Sequence, residues 1–280
     1  MKRTLLFPTD FSENADHALD YAVAMAGVMD AEILVFHAYS IVLVNTDMPY
    51  TLVEKELEEV KHRAVKGLEG ILHKIKSKNP SISASYILKQ GFPSSDVIEI
   101  AKEKDADMIV MGTQGAGAVK ALVFGSNAAE VIEKASCPVF AIPKNAVFKE
   151  IRSIVYASDY YDSDIHDIHR LASIAKEFDA DITILNVSDE GKEIQKAVTE
   201  LFVRDLREKI SYPKIDVALV EDDDIAHGIE KYIKENPIDM LVMSTRKRGF
   251  IEKLVDRSLT KKMAYHAQVP LLAFHHKVDF

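Results

Sequence analysis

Gly112, Gly115, Gly125 and Ser126 stand in the spacing G-x2-G-x9-G-[ST] within the stretch MGTQGAGAVKALVFGSNAAEVI. Glycine lets a backbone turn sharply and approach another group closely, and consecutive amides in such a turn can surround an anion. A serine that begins a helix lies beside N–H groups without intrahelical partners, where the helix dipole favours negative charge. Phosphate binding is the chemistry these features share. The bland alternative is a set of glycines that caps a strand and a serine that caps a helix. Asp10, in FPTDFSENA, adds a carboxylate suited to accept from ribose hydroxyls or an adenine amine. It is equally suited to closing an Asx turn or cap before Ser12.

The elements that must position these residues follow from hydrophobic period. RTLLFP is a short apolar strand, and Ser12 is placed to cap a helix with Ala15, Leu19, Ala22, Val23 and Ala26 on its buried stripe. AEILVFHA predicts a second strand, followed by a long charged amphipathic helix over about Val53 to Ser77. SASYILKQ, a helix from about Ser94 to Lys104, DMIVMG, a helix after Ser126 and PVFAI complete the set. Five near-continuous apolar strands separated by helices predict a parallel sheet covered on both faces. In order 3-2-1-4-5, such a doubly wound sheet binds ligands beyond the carboxyl ends of strands one and four, where the winding reverses. Asp10 ends the first strand and Gly112 the fourth, so both motifs are expected at one crevice.

The whole plan is written twice. Placing Asp10 over Asp159 aligns RTLLFPTDFSENADHALDYAVAMAGVMDAEILVFHA with RSIVYASDYYDSDIHDIHRLASIAKEFDADITILNV without a gap. A second gapless block pairs Asp107-Met108 with Asp239-Met240, Ser126 with Ser258 and Pro138 with Pro270. The register between the halves falls from 149 to 132, so the first half carries about 17 extra residues, assigned to Ser40–Glu56. That insertion is expected on the ligand side of the sheet, as a lid or a dimer contact. The duplication predicts an α/β protein of two tandem five-stranded parallel sheets, residues 1–146 and 147–280, with the second half's strands near Ser153–Ala157, Asp181–Val187, Ile215–Val220, Asp239–Met243 and Val269–Phe274.

Together with FPTDFSENA and SCPVFAIP, the glycine spacing resembles the universal stress protein family, in its ATP-binding branch and in tandem two-domain form. The resemblance covers essentially the whole chain and implies a Rossmann-like, adenine nucleotide alpha hydrolase-like fold. It implies a first-domain pocket for ATP made of Pro8, Thr9, Asp10, Ala38, Met111, Gly112, Gly115, Gly125, Ser126 and Asn127. Magnesium is compatible with such a site, since it bridges phosphates with few protein ligands. The implied role is regulatory, with ATP occupancy coupled to stress response and at most slow hydrolysis. No matched general acid and base is identifiable. A nucleotide-independent interaction module and a weak ATPase or nucleotide-transfer enzyme are the alternatives. Association of the two halves through their fifth strands as a pseudo-dimer, and a homodimer of two chains, are further implications.

The second half departs from the pattern. Ser244, Lys247 and Arg257 replace the three glycines, and only Asp159 and Ser258 persist. Glu221–Asp224 replaces Gln90–Pro93. This half is therefore expected not to bind ATP in the same pose. The basic segment Ser244–Phe250 is read as a solvated loop, a pocket for another anion, or a donor of cations to the first site.

Composition narrows the partners. A formal net charge of −9 over 280 residues opposes broad nucleic-acid binding. The single Cys137 excludes an intramolecular disulfide and is expected as a buried thiol. No run approaches the ~20 apolar residues of a membrane span, and a cytoplasmic protein is expected. His166 and His169, near Asp162, Asp164 and Asp167, are read as surface helix residues rather than a zinc site. His37 is expected to satisfy a local hydrogen bond near the pocket.

Overall fold

The computed structural model describes residues 2–40, 50–115, 125–189, 192–244 and 269–275. The helix expected after Ser258, the basic stretch 245–250 and most of the first part of the Ser40–Glu56 insertion lie outside the described residues.

In the first unit, β1 (Arg3–Pro8) runs parallel to β2 (Ala31–Tyr39), with Leu5 opposite Ile33 and Pro8 opposite Phe36. Between them lies α1 (Glu13–Met29), capped by the Ser12 hydroxyl, which accepts from the Ala15 N–H at 3.2 Å. The expected stripe of Ala15, Leu19, Ala22, Val23 and Ala26 is buried against the sheet. Asp30 ends the helix in the left-handed region at φ 50°, a conformation that aspartate tolerates better than bulky residues. The long α2 (Tyr50–Lys78) buries one narrow stripe, Ala64, Leu68, Ile71 and Ile75. It begins earlier than its periodicity predicts: Tyr50–Glu56, assigned to the insertion, forms its first turns, where Tyr50 and Leu52 are exposed. Next come β3 (Ala84–Gln90), α3 (Pro93–Glu103), β4 (Met108–Gly112), α4 (Ser126–Lys134) and β5 (Val139–Ile142).

The second unit repeats the series with β6 (Ser153–Ala157), α5 (Asp162–Phe178), β7 (Asp181–Ser188), α6 (Lys192–Lys209), β8 (Ile215–Glu221), α7 (Ile225–Glu235), β9 (Met240–Ser244) and β10 (Leu271–Phe274). The division between the units falls inside β5, after Val139. Each half of the repeat has strand order 3-2-1-4-5: β3-β2-β1-β4-β5 in the first and β8-β7-β6-β9-β10 in the second. Every strand pair with a described register within a unit is parallel.

One clasp shows how closely the duplicate is kept. The Asp107 carboxylate accepts from the Thr4 N–H at 2.8 Å, and its counterpart Asp239 accepts from the N–H groups of Arg152 and Ser153 at 2.8 and 2.9 Å. Each ties the start of the fourth strand to the start of the first, and so fixes the register on which their carboxyl ends depend. Burial would raise the Asp239 pKa, but the Lys149 ammonium and the two N–H donors outweigh it and hold the carboxyl below its usual range. Cys137 is buried, as a small apolar residue would be.

Candidate functional site

At the carboxyl end of β1 the chain makes a tight, multiply tied turn. The Thr9 N–H continues the ladder to Phe36 O at 2.9 Å, and Thr9 Oγ1 accepts from the Phe11 N–H at 3.0 Å. Asp10 Oδ1 accepts from the Ser12 N–H at 3.0 Å, so one carboxylate oxygen does close an Asx turn. Phe11 sits at φ 61°, a left-handed conformation that a bulky side chain adopts only when its surroundings hold it. Those surroundings are named. The Phe11 ring lies 4.4 Å from the His37 ring and directly over Gly67 of α2, where an added Cβ would come within 2.7 Å of Phe11 Cε1. His37 Nδ1 lies 2.7 Å from Thr9 O; a carbonyl only accepts, so Nδ1 carries the proton. His37 thus makes the local hydrogen bond expected of it, and holds the turn that presents Asp10.

The end of β4 meets that turn from the other side. An added Cβ on Gly112 would collide with the side-chain nitrogen of Asn14, which donates instead to Gln114 O at 3.1 Å. Asn14, in the first turn of α1, is 2% exposed, and its Oδ1 is buried without a hydrogen bond among the described residues. At Gly115 an added Cβ would lie 2.6 Å from Asp10 Oδ2. The Gly125 N–H donates to Thr113 O at 2.6 Å, bringing the two flanks of residues 116–124 together. Gly125 is the N-cap of α4 and, as a glycine, supplies no side-chain cap, and Ser126 is its first helical residue. The cap position therefore belongs to Gly125 rather than Ser126.

Asp10, Gly112, Gly115, Gly125 and Ser126 thus form one contiguous group at the reversal between β1 and β4. Pro8 ends β1, Thr9 follows it, Ala38 lies near the end of β2 opposite Lys89, and Met111 is buried one residue before the end of β4. Asn127 follows Ser126 on the exposed start of α4. The glycines do not serve as left-handed turns, because no described glycine has positive φ. Each instead admits a protein neighbour: Asn14 at Gly112, the Asp10 carboxylate at Gly115 and the Thr113 carbonyl at Gly125. Lys89, at the same end of the sheet, is held by Asp96 at 2.8 Å and Glu99 at 2.6 Å, and those hydrogen bonds raise its pKa.

The second unit rebuilds the same turn with different side chains. The Ser158 N–H reaches Leu185 O at 2.9 Å, Ser158 Oγ accepts from the Tyr160 N–H at 3.0 Å, and Tyr160 lies at φ 63°. Asn186 replaces His37 and donates to Ser158 O at 2.9 Å. Asp164 and Asp167 are not surface residues. Both are buried beside the Tyr156 hydroxyl, at 3.3 and 3.2 Å, and Asp164 also accepts from Ser158 Oγ at 2.7 Å. Burial and the two neighbouring carboxylates push the Tyr156 pKa up. At the counterparts of Asn14 and Gly112 stand Ser163 and Ser244, each with a hydroxyl buried without a hydrogen bond among the described residues.

The sequence profile of the universal stress protein family matches residues 1–143 and again 150–275. This chain belongs to that family. One half of it is similar to a universal stress protein of Thermus aquaticus, 34% identical over 142 residues that span 51% of this chain and 99% of the relative. A universal stress protein of Bacillus subtilis is 29% identical over 149 residues, spanning 51% and 99%. A solved universal stress protein of Archaeoglobus fulgidus shares the fold, with a TM-score of 0.72 at 19% identity over 98% of each chain.

Within this universal stress protein, the residues that spacing alone passes over are Asn14, Phe11 and Gly67. The gapless repeat carries a signal for the first: Asn14 with Gly112 in one half becomes Ser163 with Ser244 in the other, a large-small pair exchanged for two small residues. The Gly112 difference therefore has a packing cause as well as any ligand cause.

Proposed function

We propose that the first unit binds ATP and acts through occupancy rather than rapid turnover. The observation that carries this is the meeting of Asp10 Oδ2 with Gly115, 2.6 Å from where a Cβ would stand, at the reversal of the sheet, beside the N-terminus of α4, whose N-cap is a glycine. The amides opening α4 suit the phosphates, Asp10 suits the ribose hydroxyls, and Pro8, Ala38 and Met111 supply apolar surface for the base. Asp10 Oδ1 is already engaged by the Ser12 N–H, which orients the carboxylate for binding. Among the described residues no group of three His, Cys, Asp or Glu side chains is placed to hold a metal, so magnesium would arrive with the phosphates. The functional domains are taken as residues 1–146 and 147–280.

Calorimetric titration of nucleotide-free protein with ATP tests this. Saturable one-to-one binding is expected in the wild type and loss of it in Gly125→Arg, with circular dichroism unchanged. A wild type that gives no binding heat reduces the protein to a nucleotide-independent scaffold.

A further inference from the structure

We propose that the first turns of α2 are a docking surface for a second copy of this chain, the two helices pairing antiparallel about a two-fold axis. α2 and α6 are counterparts in the repeat and end alike: setting Glu221 over Gln90 also sets Lys209 over Lys78 and Ile215 over Ala84. They begin differently. α2 has 29 residues and α6 has 18, and the whole difference lies at the N-terminal end. α6 buries Gln195 and Thr199 within its first two turns, whereas the first residue that α2 buries is Ala64. Residues 50–63 are therefore about 20 Å of helix that the core of this unit does not use. The duplicate folds without them, so their service lies outside the unit.

These turns carry a seam. Tyr50, Val53, Leu57 and Val60 recur at alternate spacings of three and four, the pattern by which one helix packs along another. Tyr50 is 74% exposed, and Val53, Leu57 and Val60 are half-buried. Glu54 and Glu56 flank the seam in its first half, and Lys61 and Arg63 take the same flanking positions seven residues later.

Those charges select the partner and its direction. An antiparallel pair about a two-fold axis sets Leu57 against Val60 of the second copy on both sides of the axis, with Val53 at each end. It also sets Glu54 opposite Lys61 and Glu56 opposite Arg63, so each of the flanking charges meets its opposite. A parallel pair would bring only Glu56 to Lys61. Within one copy the same groups pair loosely along the helix surface: Arg63 lies 4.0 Å from Glu56 and from Glu59, and Lys61 lies 3.7 Å from Glu58. Exposed pairs of this kind contribute little, so exchanging them for partners on a second copy costs little. Two helices meeting over this length bury less than about 1,200 Å², the size of a weak and reversible association. The inference does not rest on nucleotide binding in the first unit.

Sedimentation velocity of the full chain over roughly 5–500 µM should show a reversible monomer–dimer equilibrium. Leu57→Glu, at the middle of the seam, should weaken it about tenfold or more. Charge is read by mixing. Glu54→Lys with Glu56→Lys makes the surface basic, and Lys61→Glu with Arg63→Glu makes it acidic. Each double variant alone should stay monomeric where the wild type dimerises, and their equimolar mixture should dimerise at least as tightly as the wild type, with circular dichroism unchanged throughout. Direction is read from Val53→Cys, which should form no disulfide-linked dimer on oxidation, because antiparallel pairing holds the two cysteines about 16 Å apart along the helices. The proposal is overturned by a wild type that stays monomeric, by a mixture that does not dimerise, or by ready cross-linking of Val53→Cys. A dimer that survives Leu57→Glu and both charge variants also overturns it, and places the contact elsewhere, such as the fifth strands. A monomer in which ATP protects residues 50–63 from hydrogen exchange overturns it in favour of a lid.

Discussion

Replacing Gly115 by alanine tests the Asp10 arrangement without testing the fold. Gly115 does not have positive φ, so alanine is not strained by the backbone. Its Cβ would start 2.6 Å from Asp10 Oδ2, and reaching the 3.4 Å of ordinary contact requires the carboxylate to retreat by about 0.8 Å. An O–H···O⁻ bond of ~2.6 Å would stretch to ~3.4 Å by that movement, beyond useful length. Hydrogen bonds to charged groups contribute about 1.5–3 kcal/mol, so ATP affinity should fall roughly 10- to 150-fold. Stability should change by less than about 1 kcal/mol, since the displaced group is a side-chain end and alanine restricts the unfolded chain. Calorimetry gives the affinity and urea titration the stability. Unchanged ATP binding in a folded variant would remove Asp10 from the site. A large loss of stability with little loss of affinity would make the Gly115 contact a matter of packing alone.

Asn14→Ala removes the buried hydrogen bond from Asn14 Nδ2 to Gln114 O and should cost about 1–3 kcal/mol in urea titration. Gly112→Ser should destabilise alone and recover when combined with Asn14→Ser, as the Ser163 and Ser244 counterparts suggest, giving a coupling of about 1 kcal/mol or more in a double-mutant cycle. Gly228→Ala should lower stability by about 1–3 kcal/mol through overlap with Val187, with partial recovery in the Val187→Ala background. Asp239 ionises more readily in the folded chain than in the unfolded chain. Its contribution is therefore present above the ordinary carboxyl value of 3.8 and is lost as pH falls through the lowered folded-state value. Asp239→Asn should accordingly flatten the acid side of the stability profile measured by denaturant titration between about pH 5 and pH 2.

The duplication and strand order were legible because each half repeats the same apolar runs, and a doubly wound sheet leaves few other ways to connect them. The Ser12 cap and the α1 stripe were legible for the same reason: both are set by local spacing. Asn14 was not, since an amide in the first turn of a helix resembles any solvated polar residue until the partner at Gly112 is known. The glycines themselves were half legible. Their spacing marked the place, but the neighbour that each admits depends on contacts from α1 and β1 that spacing does not encode. Asp164 and Asp167 look like a solvated helix face, and their burial is explained by partners that spacing does not show, the Tyr156 hydroxyl reaching both from β6 and the Ser158 hydroxyl reaching Asp164. The early start of α2 was hidden because Tyr50 and Leu52 are exposed and add nothing to its buried stripe.

The bond from the Gly125 N–H to Thr113 O has one more consequence. It ties the start of α4 to the end of β4 through two residues that flank positions 116–124, so the helix start is held from the strand itself. Doubling the length of the stretch between them would add only about 0.6 kcal/mol of closure entropy. A change of loop length there is therefore expected to leave the direction of α4 in place.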